Sequence, residues 1–202
     1  MNVTILAGSN KKASTSTKLC RYLSRLLEEK GCRVTLFDLY ELPVPLFTPD
    51  DRNPPDENLA ELKQSMLQAD AIVLSTPDYH GGISGVLKNA IDHLGFDHFD
   101  SKAVLSVAST GGAVGVSPLQ QLQVIVRGVH GVNCPEWISI GGDNRQFDAE
   151  GEPVNPMVKE RAMRTVAYFS PDVARAAQPL TRQTDERNKQ SRFRHWKRLL
   201  YG

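Results

Sequence analysis

The sequence has no apolar run near the roughly eighteen residues that a membrane-spanning helix needs. It opens on Met1-Asn2-Val3-Thr4-Ile5-Leu6-Ala7-Gly8, with neither the basic start nor the long apolar stretch of a secretion signal. A cytoplasmic protein with no membrane partner is therefore expected. Cysteine is scarce: Cys20, Cys32 and Cys134 stand far apart, and no Cys-x-x-Cys pair or nearby histidine completes a metal site. Buried thiols in a reducing compartment, and no metal, are the expectation. The fingerprint Gly-x-Gly-x-x-Gly and the P-loop Gly-x-x-x-x-Gly-Lys-Ser/Thr are both missing, which argues against a tightly held dinucleotide and against a nucleoside triphosphate. Neither a catalytic triad nor a pair of carboxylates demands a role, and there is no internal repeat or low-complexity tract.

What is present suits one α/β domain. The 202 residues are 40% apolar, enough for a single sizeable core. The net charge of +1 hides an asymmetry, because from Arg175 onward eight residues are basic and two acidic. We expect a domain over residues 1–176 and a basic arm over 177–202. In that arm Phe193, Trp196, Leu199 and Leu200 fall on one face of a short helix, among Arg192, Arg194, Lys197 and Arg198. Docking of this face on its own or a partner subunit, as a homodimer or homotetramer, accounts for it without nucleic acid or membrane.

Apolar, β-prone runs at Val3–Ala7, Val34–Phe37, Ala71–Ser75, Ala103–Ala108 and Trp137–Ile140 read as strands buried on both faces. Between them, helical spacing appears over Thr17–Lys30, Asn58–Ala69, Gly85–Leu94, a segment through Leu119, Leu122, Ile125 and Val126, and a last helix from Pro156 to Phe169. The segment Leu42–Phe47 holds too many prolines for regular structure. Five strands alternating with helices predict a doubly wound parallel sheet, whose ligand lies beyond the carboxyl ends of the strands.

The loops after the first, third and fourth strands are unusual. The first, Gly8-Ser9-Asn10-Lys11-Lys12-Ala13-Ser14-Thr15-Ser16-Thr17, joins hydroxyls and lysines to a helix N-terminus, the combination a phosphate dianion wants. Helix capping by Ser14, Ser16 and Thr17 is the competing reading. The loop from Thr76 to Gly85 pairs Gly81 with Gly82 beside Tyr79, and Ser109-Thr110-Gly111-Gly112 repeats the pattern with small residues. Two such walls define a slot for a planar ring.

Gly8-Ser9…Ser14-x-Ser16, followed by Pro77-Asp78-Tyr79-His80-Gly81-Gly82…Gly85-x-Leu87-Lys88-Asn89-Ala90-Ile91-Asp92, resembles the NADPH-dependent FMN reductase family. The resemblance implies a flavodoxin-like sheet of strand order 2-1-3-4-5, here with a C-terminal helical extension. It implies FMN as cofactor and NADPH or NADH as electron donor. It further implies that Ser9, Lys11, Ser14, Ser16 and Thr17 hold the FMN phosphate, that Pro77, Asp78, Tyr79, His80 and Gly81 line one side of the isoalloxazine ring, and that Ser109, Gly111 and Gly112 meet its pyrimidine end. The family more often has Arg at Lys11, Glu at Asp78 and Pro at Ser84; lysine keeps the charge but loses the bidentate fork.

The expected activity is ping-pong transfer of electrons from NAD(P)H through FMN to a small acceptor: a quinone, an azo compound, free flavin or a metal oxyanion. A non-enzymatic FMN electron carrier or redox sensor is the alternative. His80 is the one acid–base candidate, although packing or hydrogen bonding within its loop is the favoured use. Residues Pro43–Pro55 and Gly141–Phe147 are expected to rim the substrate slot. Arg145 within the second rim could meet the extra phosphate of NADPH, with a surface ion pair the more ordinary use of an isolated arginine.

Overall fold

The computed structural model describes residues 1–50 and 55–169. The expected arm over 177–202, with its terminal helix, lies outside the described residues. In chain order the elements are β1 (Asn2–Ala7), α1 (Thr15–Glu29), β2 (Arg33–Asp38), α2 (Glu57–Gln68), β3 (Ala71–Pro77), α3 (Gly85–Asp92), α4 (Phe96–Phe99), β4 (Ala103–Thr110), α5 (Val116–Gly128), β5 (Val132–Asn133), β6 (Ile138–Gly141), a 3-10 turn over Gly142–Arg145, and α6 (Pro156–Tyr168). All the pairings within the sheet are parallel, in the order β2-β1-β3-β4-β5, with β6 also on β4. This is the flavodoxin-like order expected.

Alternation along the strands divides the core in two. Val3, Ile5, Ala7, Val73, Leu105 and Val107 face one side, where α1 and α6 cover them through Leu19, Leu23, Ala162 and Val166. Leu6, Ile72, Leu74 and Val104 face the other, under Leu62 and Met66 of α2, Leu87 and Ile91 of α3, and Leu122 and Val126 of α5. Burial on both faces is why the strands read as apolar runs and not as alternating ones. On the second face the buried Lys102 sends its ammonium to the Met66 and Leu67 carbonyls, at 2.6 and 3.1 Å, and so closes the C-terminal end of α2.

One expectation needs correction. The fifth strand, expected at Trp137–Ile140, runs from Ile138 to Gly141, and a separate two-residue strand at Val132–Asn133 precedes it. Both lie along β4, β5 beside Ala103 and Val104 and β6 beside Val107 to Thr110. Cys134-Pro135-Glu136-Trp137 separates them, and Pro135 has no N–H to continue a ladder. The three thiols are free and buried as expected, and burial pushes the Cys20 thiol up to about 12. Among the described residues no His/Cys/Asp/Glu group could hold a metal ion, and no helix is long and apolar enough to cross a membrane.

Candidate functional site

Parallel pairing points the ends of β1, β3 and β4 to one edge, with Ala7 beside Ser75 and Ser75 beside Val107 and the ends of β3 and β4 reaching a little further. The loops that follow must share one edge of the sheet. They are also bonded to one another. The Gly8 N–H donates to the Ser75 carbonyl at 2.8 Å, and the Asp78 N–H to the Ser109 carbonyl at 2.7 Å. Gly8 admits no side chain: a Cβ there would overlap the Ser75 carbonyl and the Leu87 Cβ.

In the first loop Ser14 is the N-cap of α1. Its Oγ accepts the Thr17 N–H at 3.1 Å, donates to Thr17 Oγ1 at 2.8 Å and lies 3.1 Å from Ser16 Oγ. The capping reading is thus satisfied by Ser14, while Ser16 and Thr17 join it in a buried hydroxyl cluster with Ser9 nearby in sequence and equally buried. Ser9 Oγ accepts the Lys11 N–H at 3.2 Å, and the Lys11 side chain stands exposed over the loop. The loop thus offers hydroxyls, a helix N-terminus and a solvent-facing cation together.

The second loop is built around a tight turn. Tyr79 and Gly82 exchange backbone hydrogen bonds at 3.1 and 3.0 Å, and the two residues between them, His80 and Gly81, have φ of 55° and 77°. Positive φ at both central positions makes a type I′ turn, which glycine occupies without steric cost. His80, Tyr79 and Gly81 are exposed and Pro77 is half-buried. The half-buried Asp78 carboxylate ties the turn to the third loop: Oδ1 accepts the Gly81 N–H at 2.9 Å and Oδ2 accepts the Thr110 hydroxyl at 3.0 Å.

The third loop is open. A Cβ on Gly111 would meet nothing within 4 Å, and Gly112 and Ala113 are likewise exposed, whereas Ser109 is buried at the strand end. From below, the loop rests on Gly141, where a Cβ would overlap the Gly112 and Ala113 carbonyls. Of the segment Gly141–Phe147, Gly141 thus packs under the third loop, and Arg145 is exposed, with Nε bonded to the Gly142 carbonyl at 3.1 Å. Of the expected rim Pro43–Pro55, residues 51–54 lie outside the described residues, and the part around Pro45 and Phe47 is fastened to α3 and the residue after it. Asn89 accepts the Phe47 N–H at 2.8 Å and donates to the Pro45 carbonyl at 2.9 Å, and His93 bonds the same carbonyl at 2.8 Å.

Four side chains outside the expected set hold this arrangement. Ser84 caps α3 by accepting the Leu87 N–H at 3.1 Å, donates its hydroxyl to the Gly8 carbonyl, and gives its own N–H to Thr76 Oγ1 at 2.9 Å. Proline at this position could neither cap the helix nor donate to Thr76. Thr110 holds Asp78, and Ser117 and Gln121 of α5 hold the turn. A serine just before a helix is a visible capping signal; the other three carry no local mark.

The model of NADPH-dependent FMN reductases matches residues 1–145. An FMN-dependent NADPH-azoreductase from Staphylococcus aureus is 37% identical over 139 residues, covering 67% of this chain and 74% of that protein. Among solved structures, a flavoenzyme NAD(P)H:(acceptor) oxidoreductase from Paracoccus denitrificans aligns with a TM-score of 0.72 at 22% identity, over 87% of this chain and 98% of that one. An apo NADH:FMN oxidoreductase aligns with a TM-score of 0.69 at 18% identity, over 91% and 92%. The structural likenesses bear on the fold, and the family match covers all three loops around the crevice: the chain belongs to the NADPH-dependent FMN reductase family.

Proposed function

We propose that this chain is an oxidoreductase that takes electrons from NADPH and passes them, by way of FMN held over the carboxyl ends of β1, β3 and β4, to a small planar acceptor such as a quinone or azo compound. One observation carries the reading: the Asp78 carboxylate fastens the Tyr79–Gly82 turn to the loop after β4, so two glycine-bearing walls stand at a fixed separation beside a hydroxyl-rich helix N-terminus. The residues present fit the group. The loop after β1 supplies donors and positive potential for one phosphate, and the unobstructed backbone at Gly111 leaves room for a flat ring.

In this reading Ser9, Lys11, Ser14, Ser16 and Thr17 bind the phosphate. Pro77, Asp78, Tyr79, His80 and Gly81 form one wall, and Ser109, Gly111 and Gly112 meet the pyrimidine end of the ring. FMN held by these residues would supply the redox chemistry, as a hydride acceptor and electron donor. The protein binds and orients, and backbone N–H groups at Gly111 and Gly112 offset negative charge at the pyrimidine end without a titrating side chain. Donor and acceptor use the same face in turn. His80 serves the turn, as its positive φ and exposed side chain suggest. The three buried free thiols suit work in a reducing cytoplasm, and the domain over 1–176 is proposed to act as a homodimer or homotetramer.

The visible spectrum tests this. Purified protein, or protein incubated with FMN and desalted, should be yellow and should bleach on anaerobic addition of NADPH, with colour returning when a quinone or azo dye is added. Protein that takes up no FMN from excess, or stays yellow with NADPH, overturns the proposal.

A further inference from the structure

The Gly81 peptide is clamped from both sides. Its N–H is held by Asp78 of its own loop, while its carbonyl accepts from the Ser117 hydroxyl and from Gln121 Nε2 at 3.3 Å. Gln121 Oε1 accepts the Ile83 N–H at 3.1 Å, so both ends of one side-chain amide are engaged by the same turn. Gly82 sits against that amide, and a Cβ on it would lie 3.5 Å from Oε1. Ser117 and Gln121 lie four residues apart, which puts both on one face of α5, the helix that leaves the loop after β4. Helix α5 thus fixes the turn from outside the crevice.

We infer that Ser117 and Gln121 are positioning residues for the flavin wall, an inference that rests on the proposed FMN site. A turn with two positive-φ residues, one of them histidine, needs external support to stay in one conformation, because an unsupported histidine readily leaves the left-handed region. The α5 side chains supply that support through the backbone of Gly81 and Ile83. The chemistry of the amide is specific: donor towards Gly81 and acceptor towards Ile83. A carboxylate at 121 keeps the acceptor and turns the donor into a second acceptor facing the Gly81 carbonyl, and protonation restores the donor.

The test compares Gln121→Ala, Gln121→Glu and Gln120→Ala, the last an exposed neighbour on α5. FMN dissociation constants are measured on apo-protein by fluorescence quenching between pH 8 and pH 5. Hydrogen exchange of the segment Tyr79–Leu87 is measured in ligand-free protein. Loss of two solvent-accessible hydrogen bonds should weaken FMN binding by about five- to tenfold in Gln121→Ala, with faster exchange at Gly81 to Ile83 and no change in Gln120→Ala. Gln121→Glu should bind as poorly as the alanine variant at pH 8 and approach the wild type as the pH falls towards the ordinary glutamate range, a pH response the alanine variant lacks. A Gln121→Glu protein equal to the wild type at pH 8, or one whose deficit does not respond to pH, overturns the inference. If the wild type itself takes up no FMN, the cofactor site fails, and the exchange measurement alone decides whether α5 holds the turn.

Discussion

The Ser84 hydroxyl donates to the Gly8 carbonyl, joining the start of α3 to the exit of β1 across 76 residues of sequence. The same oxygen accepts the Leu87 N–H, and the Ser84 N–H reaches Thr76. One buried residue therefore sets the relative height of the phosphate-side loop and the helix behind the ring. Ser84→Ala should lower stability by about 1–3 kcal/mol, from a lost cap and an unpaired buried carbonyl. Ser84→Pro, the residue more usual in the family, should be no better, since Thr76 then loses its donor. Denaturant melts of both variants check this; a proline variant as stable as the wild type would contradict it.

Asp78 is the second tie. Removing the carboxylate frees both the Gly81 N–H and the Thr110 hydroxyl, whereas removing the Thr110 hydroxyl leaves Asp78 on the Gly81 N–H and frees the Gly112 N–H, a longer bond of 3.3 Å. FMN affinity should fall in Asp78→Ala and fall less in Thr110→Val. In the double variant the losses should not add, with a coupling of about 0.5–1.5 kcal/mol for a partly exposed bond. Additive losses in this double-mutant cycle would show that the two loops are not linked through this pair.

How far the sequence reveals these relations depends on their range. Strands such as Val3–Ala7 and Ala71–Ser75 are legible because burial on both faces leaves continuous apolar runs, and the helices because their stripes face one side of the sheet. The loops after β1, β3 and β4 are legible as places, through Gly8, Gly81 and Gly111 and the hydroxyls around Ser14. What escapes is whatever depends on distant pairing. Val132–Asn133 is too short to show a period, Phe96–Phe99 is a single turn, and Gln121 looks like any polar residue on a solvent-facing helix until the Gly81 turn is laid beside it. Residues 170–202, with the basic face expected around Trp196, lie outside the described structure.

At the far end of the sheet, burial chiefly holds His98 below its ordinary value, helped by Lys102 and Lys63 and opposed by its contact with Gly95 and by Asp97. The Gly95 N–H donates to His98 Nδ1 at 3.0 Å, and Nε2 is buried with no hydrogen-bond partner among the described residues, so the neutral ring is the form that fits. A histidine whose folded value lies below its unfolded one contributes stability above about pH 6.5 and loses it as pH falls through the folded value. Thermal melts should therefore show a decline below pH 6.5 that is shallower in His98→Asn, which keeps an acceptor for Gly95 without a titrating ring. An unchanged slope in that variant would remove His98 from the explanation.

Two glycines separate structure from binding at the third loop. A Cβ on Gly141 would overlap the Gly112 and Ala113 carbonyls, so Gly141→Ala must lift the loop after β4. Overpacking against backbone costs about 1–3 kcal/mol, and the displaced wall should weaken FMN binding as well. Gly111→Ala is the opposite case: its methyl meets nothing in the protein and its φ is not in the left-handed region, so the melting temperature should stay close to the wild type. If the pyrimidine end of the ring lies against this backbone, the added methyl occupies space that FMN needs, and affinity should drop several-fold with folding intact. Fluorescence titration beside a thermal melt reads both quantities on the same sample. A Gly111→Ala protein that binds FMN as tightly as the wild type would place the ring elsewhere in the crevice.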